Sequence, residues 1–199
     1  MRNIFDSHAH YDDSQFDGDR EELLGQVLPE KGVSGIINMA ADLKSCQTTW
    51  ELTQRYGYVY GAAGIHPEEA LDLPDDWLAQ VKAWLGRPKM VAVGEIGLDF
   101  HYDFSPRDDQ RSAFRRQLRV AKECGLPVIL HVREAHDEAL AIMRDEGFPE
   151  AGTLLHCFNL DWNVLEPWAE AGCYVAFGGP LTFKKSDDVR EAAARVPAD

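Results

Sequence analysis

Seven short apolar runs, each followed by a longer segment of helical period, predict an α/β fold built on a parallel sheet. Two further observations select the (β/α)8 TIM barrel over an open doubly wound sheet. No G-x-G-x-x-G or P-loop pattern occurs, and the first strand leads instead into His8-Ala9-His10. Polar, metal-capable side chains also stand at the ends of several different strands, where a barrel gathers its chemistry. Only about seven strand–helix units can be read, and the chain is about 50 residues shorter than a typical barrel.

The first strand is predicted at residues 3–6, and the periodic segment 20–31 behind it stops at Gly32. The second strand, 35–39, precedes a helix over 43–56 that ends before Gly57. The third, 58–62, is followed by a helix over 75–86, and the fourth, 90–94, by a long helix over 107–123 stopped by Gly125. The fifth strand, 127–131, contains the unbroken run Val128-Ile129-Leu130, which fits burial on both faces of a parallel sheet. Its helix covers 134–147 and closes on Gly147. The sixth strand, 153–156, feeds a helix over 161–171 ending before Gly172; the seventh, 173–177, precedes the helix 187–196. No linker, low-complexity tract or internal repeat interrupts the series, so residues 1–199 are read as a single domain.

The composition bounds the function. With 45 % hydrophobic residues the chain can bury a substantial core, which excludes disorder. Its formal charge of −14 repels phosphates, which excludes passive nucleic-acid or membrane binding; a polyanionic substrate needs positive charge supplied locally, as metal ions would supply it. Cys46, Cys124, Cys157 and Cys173 form no C-x-x-C pair and no disulfide framework, and are read as idle thiols of a reduced protein. No apolar run of signal-peptide or transmembrane kind is present, so a cytoplasmic protein is expected.

The candidate chemistry lies at the strand ends. His8 and His10, one residue apart, present both imidazoles to the same side of an extended segment. An H-x-H pair arises often by chance, but the other strands repeat the pattern. Strand four runs into Glu95, strand five into His131 and strand six into His156, and in a parallel barrel these ends converge. Four imidazoles and one carboxylate exceed the needs of one tetrahedral ion and suit two divalent ions sharing Glu95, roughly 3.5–4 Å apart. Such a pair would add about four positive charges at the cleft. His66, before Pro67, is read as a substrate-contacting donor or as a turn residue, and Arg133 projects into the same mouth. Lys184 and Lys185 are read as a solvated loop. Arg107, Arg111, Arg115 and Arg119 recur every four residues on a helix outside the barrel, which favours an ion-paired outer face over a nucleic-acid patch. His101 and His136 receive no role.

The segments Asp6-Ser7-His8-Ala9-His10, Gly64-Ile65-His66-Pro67, Gly94-Glu95-Ile96-Gly97-Leu98-Asp99, Leu130-His131-Val132-Arg133 and His156-Cys157-Phe158 resemble, in order and over nearly the whole chain, the TatD family of metal-dependent deoxyribonucleases. The resemblance implies a TIM barrel, two divalent ions (magnesium, manganese or zinc) and cytoplasmic hydrolysis of phosphodiester bonds, often 3′-to-5′ on single-stranded DNA. It implies His8 and His10 on the first ion, Glu95 bridging, His131 and His156 on the second, and His66 and Arg133 facing the substrate phosphate. It also implies an eighth strand with a metal-binding aspartate in a Thr-Asp-x-Pro-like setting. Asp199 lacks that setting, and the domain is therefore expected to be C-terminally incomplete.

Three alternatives accompany this expectation. One is a catalytically weak barrel retaining metal binding or a scaffold role. Another is an ester hydrolase acting on aminoacyl-tRNA. The third is an amidohydrolase with a modified lysine on strand four, the position that Glu95 occupies here.

Overall fold

The computed structural model describes residues 3–197, and its seven strands form one wholly parallel sheet in chain order, β1-β2-β3-β4-β5-β6-β7. The strands are β1 (Ile4–Ala9), β2 (Val33–Met39), β3 (Val59–Ala63), β4 (Met90–Asp99), β5 (Val128–Arg133), β6 (Thr153–Leu155) and β7 (Tyr174–Val175). The helices between them are α1 (Arg20–Glu22) and α2 (Leu28–Glu30), then α3 (Leu43–Arg55), α4 (Trp77–Leu85), α5 (Arg107–Cys124), α6 (His136–Glu146), α7 (Trp162–Glu170) and α8 (Asp187–Arg195). Each predicted strand–helix unit is present. The wall is that of a TIM barrel, and it is strongly curled. Strands β1 and β6 are five places apart, about 24 Å in a flat sheet. Yet the rings of His8 and His156, carried on β1 and just beyond β6, stack with centroids 3.3 Å apart. Asp199, which lacks the setting of the expected eighth-strand aspartate, lies outside the described residues.

Two predicted boundaries differ for a physical reason. The helix expected over 20–31 is divided into α1 and α2 by a π-helical stretch, Leu23–Val27, immediately before Pro29, which has no N–H to add to the α-helical ladder. Strands β1 and β4 run past their predicted ends at 6 and 94, so His8 and Glu95 are inside strands rather than after them.

Side chains of successive strand residues alternate between the barrel interior and the helical layer. Ile37 and Met39 of β2, Ala62 of β3, Ala92 of β4, Ile129 of β5 and Leu154 of β6 pack together as an inner cluster. Their neighbours Val93, Val128, Leu130 and Leu155 pack outward in the main core with Phe114, Leu118, Leu140 and Trp168 of the helices. The register shifts at four places, between Ile4 and Phe5, Asp6 and Ala9, Gly61 and Ala62, and Val93 and Ile96, and two of them re-aim site residues. In β4, Gly94 and Glu95 together oppose Ile129 alone, because Val93 pairs with Val128 and Ile96 with Leu130. In β1, Ser7 and His8 oppose Ile37 alone, because Asp6 pairs with Ile36 and Ala9 with Asn38. Each extra residue re-aims the side chain that follows it. Ile96 and Leu98 then return to the outer core, leaving Gly97 and Asp99 on the inner side.

Gly97 is the position where no other residue fits. Its φ is +146°, and a Cβ would stand 1.9 Å from the His131 carbonyl oxygen. Among the helices, α3 opens with a capping box between Asp42 and Ser45, and α5 ends on Gly125 in the left-handed conformation. The arginine row of α5 faces α6, as the outer-face reading expects. Arg111 pairs with Glu138, Arg115 with Asp145 and Glu146, and Arg119 with Glu146 at 2.8 Å. Among the described residues, no helix is long and apolar enough to cross a membrane.

Two measurements check this reading of the packing. Gly97→Ala should cost about 3 kcal/mol or more through backbone strain and overpacking, seen as an early chemical-denaturation midpoint. A midpoint equal to that of the wild type would contradict the close approach of β4 and β5. The second concerns Glu146, whose carboxyl is brought from the ordinary 4.5 down to about 2, chiefly by its hydrogen bond with Arg119 and further by Arg115. A depressed carboxyl stabilises the fold above its unfolded pKa and loses that contribution on acidification. The thermal-midpoint gap between wild type and Glu146→Gln should therefore be steady above about pH 5 and narrow as the pH falls toward about 2.

Candidate metal centre

The residues that the strand ends single out meet in one place. His8 is in β1 and His10 just beyond it, Glu95 is at the displaced position of β4, His131 is in β5, and His156 follows β6. The Glu95 carboxylate is buried at the centre. Its Oε2 lies 3.2 Å from His8 Nε2 and 3.3 Å from His10 Nε2, and those two nitrogens are 3.0 Å apart. Its Oε1 is 3.0 Å from His131 Nδ1 and 3.8 Å from His156 Nε2. Each oxygen of one carboxylate thus faces its own imidazoles.

His66 joins the second group more closely than the sequence implied. It lies past β3, held by its N–H to the Ala41 carbonyl (2.7 Å), and its Nδ1 accepts from the Glu68 N–H at 3.2 Å. This is the turn role. The same ring packs edge-on against His131, with centroids 4.3 Å apart, and sets His66, Glu95 and His131 within ligating distance of one another. The two compact donor groups are therefore His8–His10–Glu95 and His66–Glu95–His131. His156 caps the assembly by stacking on His8.

The donor set fits divalent cations. It offers imidazole nitrogens and a carboxylate shared between two clusters, which is the ligand chemistry of a zinc- or manganese-type site. The electrostatics agree. Burial would raise the Glu95 carboxyl, but hydrogen bonds from His10, His131 and His8 outweigh it and hold the carboxyl well below the usual range. Burial lowers His10, and Glu95 more than reverses this, so the ring is raised. His131 behaves likewise under Glu95 and Asp99. His66 is pushed down to about 4 by burial, and with its Nδ1 lone pair taken by the Glu68 N–H the neutral ring carries its proton on Nε2; His156, pushed down to about 3 by burial and then by His8, presents a free lone pair.

Asp99 belongs to the site although its role was not read from the sequence. It is fully buried at the end of β4, and its Oδ2 lies 2.9 Å from His131 Nε2. Its Oδ1 accepts the backbone N–H groups of His101 and Tyr102. It orients an imidazole from behind, as outer carboxylates do in metal sites. The available signal was its position four residues after Glu95, which on an interrupted strand returns to the inner face. Arg133 sits at the end of β5 beside Asp99, with its guanidinium 4.7 Å from the centre of the Tyr102 ring. Lys184 and Lys185 are exposed and outside this cluster. His101 pairs with Glu134 at 2.7 Å, and His136 is packed against Phe158 and Trp168; neither is in the cluster. Burial pushes the Cys46 and Cys173 thiols up to about 12, which fits idle thiols.

Comparisons with known proteins converge on one family. Residues 5–199 match the family described as TatD related DNase. The chain is 37 % identical to a Bacillus subtilis protein named "Uncharacterized metal-dependent hydrolase YabD", covering 98 % of this chain and 76 % of the relative. It is 32 % identical to the "3'-5' ssDNA/RNA exonuclease TatD" of Citrobacter koseri, covering 98 % and 75 %. The crystal structure of YJJV, a TatD homolog from Escherichia coli, superposes with a TM-score of 0.90 at 32 % identity, covering 98 % of this chain and 75 % of that one.

Because His10 and His131 hold protons to higher pH than free imidazole, a cation must displace those protons to bind. Affinity for manganese or zinc should therefore rise with pH through and somewhat above about 6.5, with proton release on binding. Titration calorimetry in buffers of different ionisation enthalpy would read this; affinity that stays flat from about pH 6 to 8 would contradict it.

Proposed function

The chain belongs to the TatD-related DNase family and is a metal-dependent hydrolase, and from that premise we propose that it hydrolyses phosphodiester bonds in DNA, as a 3′-to-5′ exonuclease on single strands. The carrying observation is the buried Glu95 carboxylate, which gives one oxygen to each of two imidazole groups. His8, His10 and Glu95 Oε2 would hold one divalent cation. Glu95 Oε1 and His131 would hold a second, completed by His156. The imidazole majority fits zinc better than magnesium. When bound, the cations would polarise the phosphoryl oxygens and make a water acidic enough to attack phosphorus at neutral pH.

The protein's own residues organise that reaction. Glu95 is held ionised by its imidazoles, and the preceding Gly94 lies so close to Ile129 that a Cβ there would stand 2.9 Å from its Cβ. Asp99 anchors His131 from behind. Arg133 and His66 border the mouth, where a guanidinium and an imidazole suit the substrate phosphate. Bound cations would supply, next to Arg133, the positive charge that offsets the repulsion a −14 chain would otherwise exert on DNA.

The direct test is incubation of manganese-, zinc- or magnesium-loaded protein with 3′-labelled single-stranded DNA, read as mononucleotide release. No release with any of the three would overturn the reading. Glu95→Gln should lower the rate by about a thousandfold or more, since the cations supply several kcal/mol of transition-state stabilisation. It should also reduce the number of ions bound. Asp99→Asn should cost about 10–100-fold with the ion stoichiometry retained; loss of both ions in that variant would move Asp99 from a positioning role to a direct one.

A further inference from the structure

The loop after β4 carries an aromatic pair that the fold does not use. Tyr102 and Phe104 stack on each other with centroids 5.3 Å apart and planes 15° apart, yet they remain 48 % and 64 % exposed. Unlike the exposed Phe5, Tyr174 and Phe183, these two rings stack on each other and are tied through Asp99 to the candidate metal centre. Arg133 stands 4.7 Å from the Tyr102 ring centre, and His101 meets the same ring edge-on at 4.7 Å.

The pair is tied to the metal centre through one carboxylate. Asp99 accepts the His101 and Tyr102 N–H groups at 2.9 and 3.0 Å on one oxygen and faces His131 Nε2 at 2.9 Å with the other. The position of the rings is thus set by the group that sets His131. The acids beside the rings are engaged: Asp103 accepts from Arg107 at 2.7 and 2.9 Å, and Glu134 pairs with His101 at 2.7 Å. Arg133 faces the stack and, among the described residues, has no ion-pair partner within 4 Å.

We propose that Tyr102 and Phe104, backed by Arg133, form a stacking platform for an unpaired base of a single strand whose phosphate lies at the metal centre. A base offers a flat π-face to the outer ring, and the arginine adds cation–π and phosphate attraction. Interior bases of a duplex are stacked on both faces and reach such a platform only by unstacking, so it favours single strands by that cost. The proposal rests on the nuclease reading, which supplies the polynucleotide.

The test is fluorescence anisotropy of a labelled, cleavage-resistant phosphorothioate dT oligomer, alongside the same backbone with abasic sites and a blunt duplex. Phe104→Ala and Tyr102→Ala should each weaken dT binding about tenfold, the scale of one stacked base. Tyr102→Phe should retain it, and abasic binding should be unchanged in every variant. Both rings are exposed, and circular dichroism should show the alanine variants folded as the wild type. Equal affinity of wild type and alanine variants for dT would overturn the platform. So would equal loss for dT and abasic backbones, or a duplex bound with the same ring dependence. Cleavage is scored separately: a wild type that binds through the rings but cleaves nothing removes the nuclease reading and leaves the platform standing.

Discussion

The alternation of side chains along a strand is the constraint on which the site depends. Val93 points to the helical layer, and two residues later an unbroken strand would send Glu95 the same way, into the apolar core. The extra residue opposite Ile129 turns Glu95 inward instead, and the matching irregularity opposite Ile37 does the same for His8. A carboxylate buried in the outer core would face Leu118 and Leu130 with nothing to pair it, at a cost of several kcal/mol. Turned inward, it meets four imidazoles. The two displaced residues thus make the centre possible and spare the core an unpaired charge.

From that placement the remaining geometry follows. Once β4 has regained alternation, Ile96 and Leu98 fill the outer core and Gly97 lets β5 approach closely enough for His131 to reach both Glu95 and Asp99. Asp99 in turn fixes the loop that carries the exposed rings. One ten-residue strand therefore supplies the shared carboxylate, the support behind a ligand, the close contact and the anchor of the substrate-facing loop. Arg111, Arg115 and Arg119 of α5 are engaged by acids of α6 and supply no free positive charge to the mouth of the barrel.

Much of this was legible beforehand. The seven strand–helix units were readable from period and glycine stops, since local propensity and the tertiary fold agree at those positions. His8, His10, Glu95, His131 and His156 were readable because polar residues that terminate apolar runs are improbable without a use for them. The roles of His66 and Asp99 were less so. His66 serves as turn former and site member at once, and nothing in Gly64-Ile65-His66-Pro67 separates the two. Asp99 lies four residues after Glu95 and so shares its face, but nothing in Gly97-Leu98-Asp99 shows that it reaches His131 on the neighbouring strand.

The chain's own order of residues determined the fold class, the chemical identity of the donors and the end of the sheet at which they gather, because periodicity and residue type are local properties. Only the tertiary structure decided which face each donor takes, that Glu95 serves two groups through separate oxygens, and that His66 stands nearer the second group than His156. Those outcomes depend on pairing register and sheet curvature, which bring residues from β1 and β6 into contact, and neither is written in any single stretch of sequence.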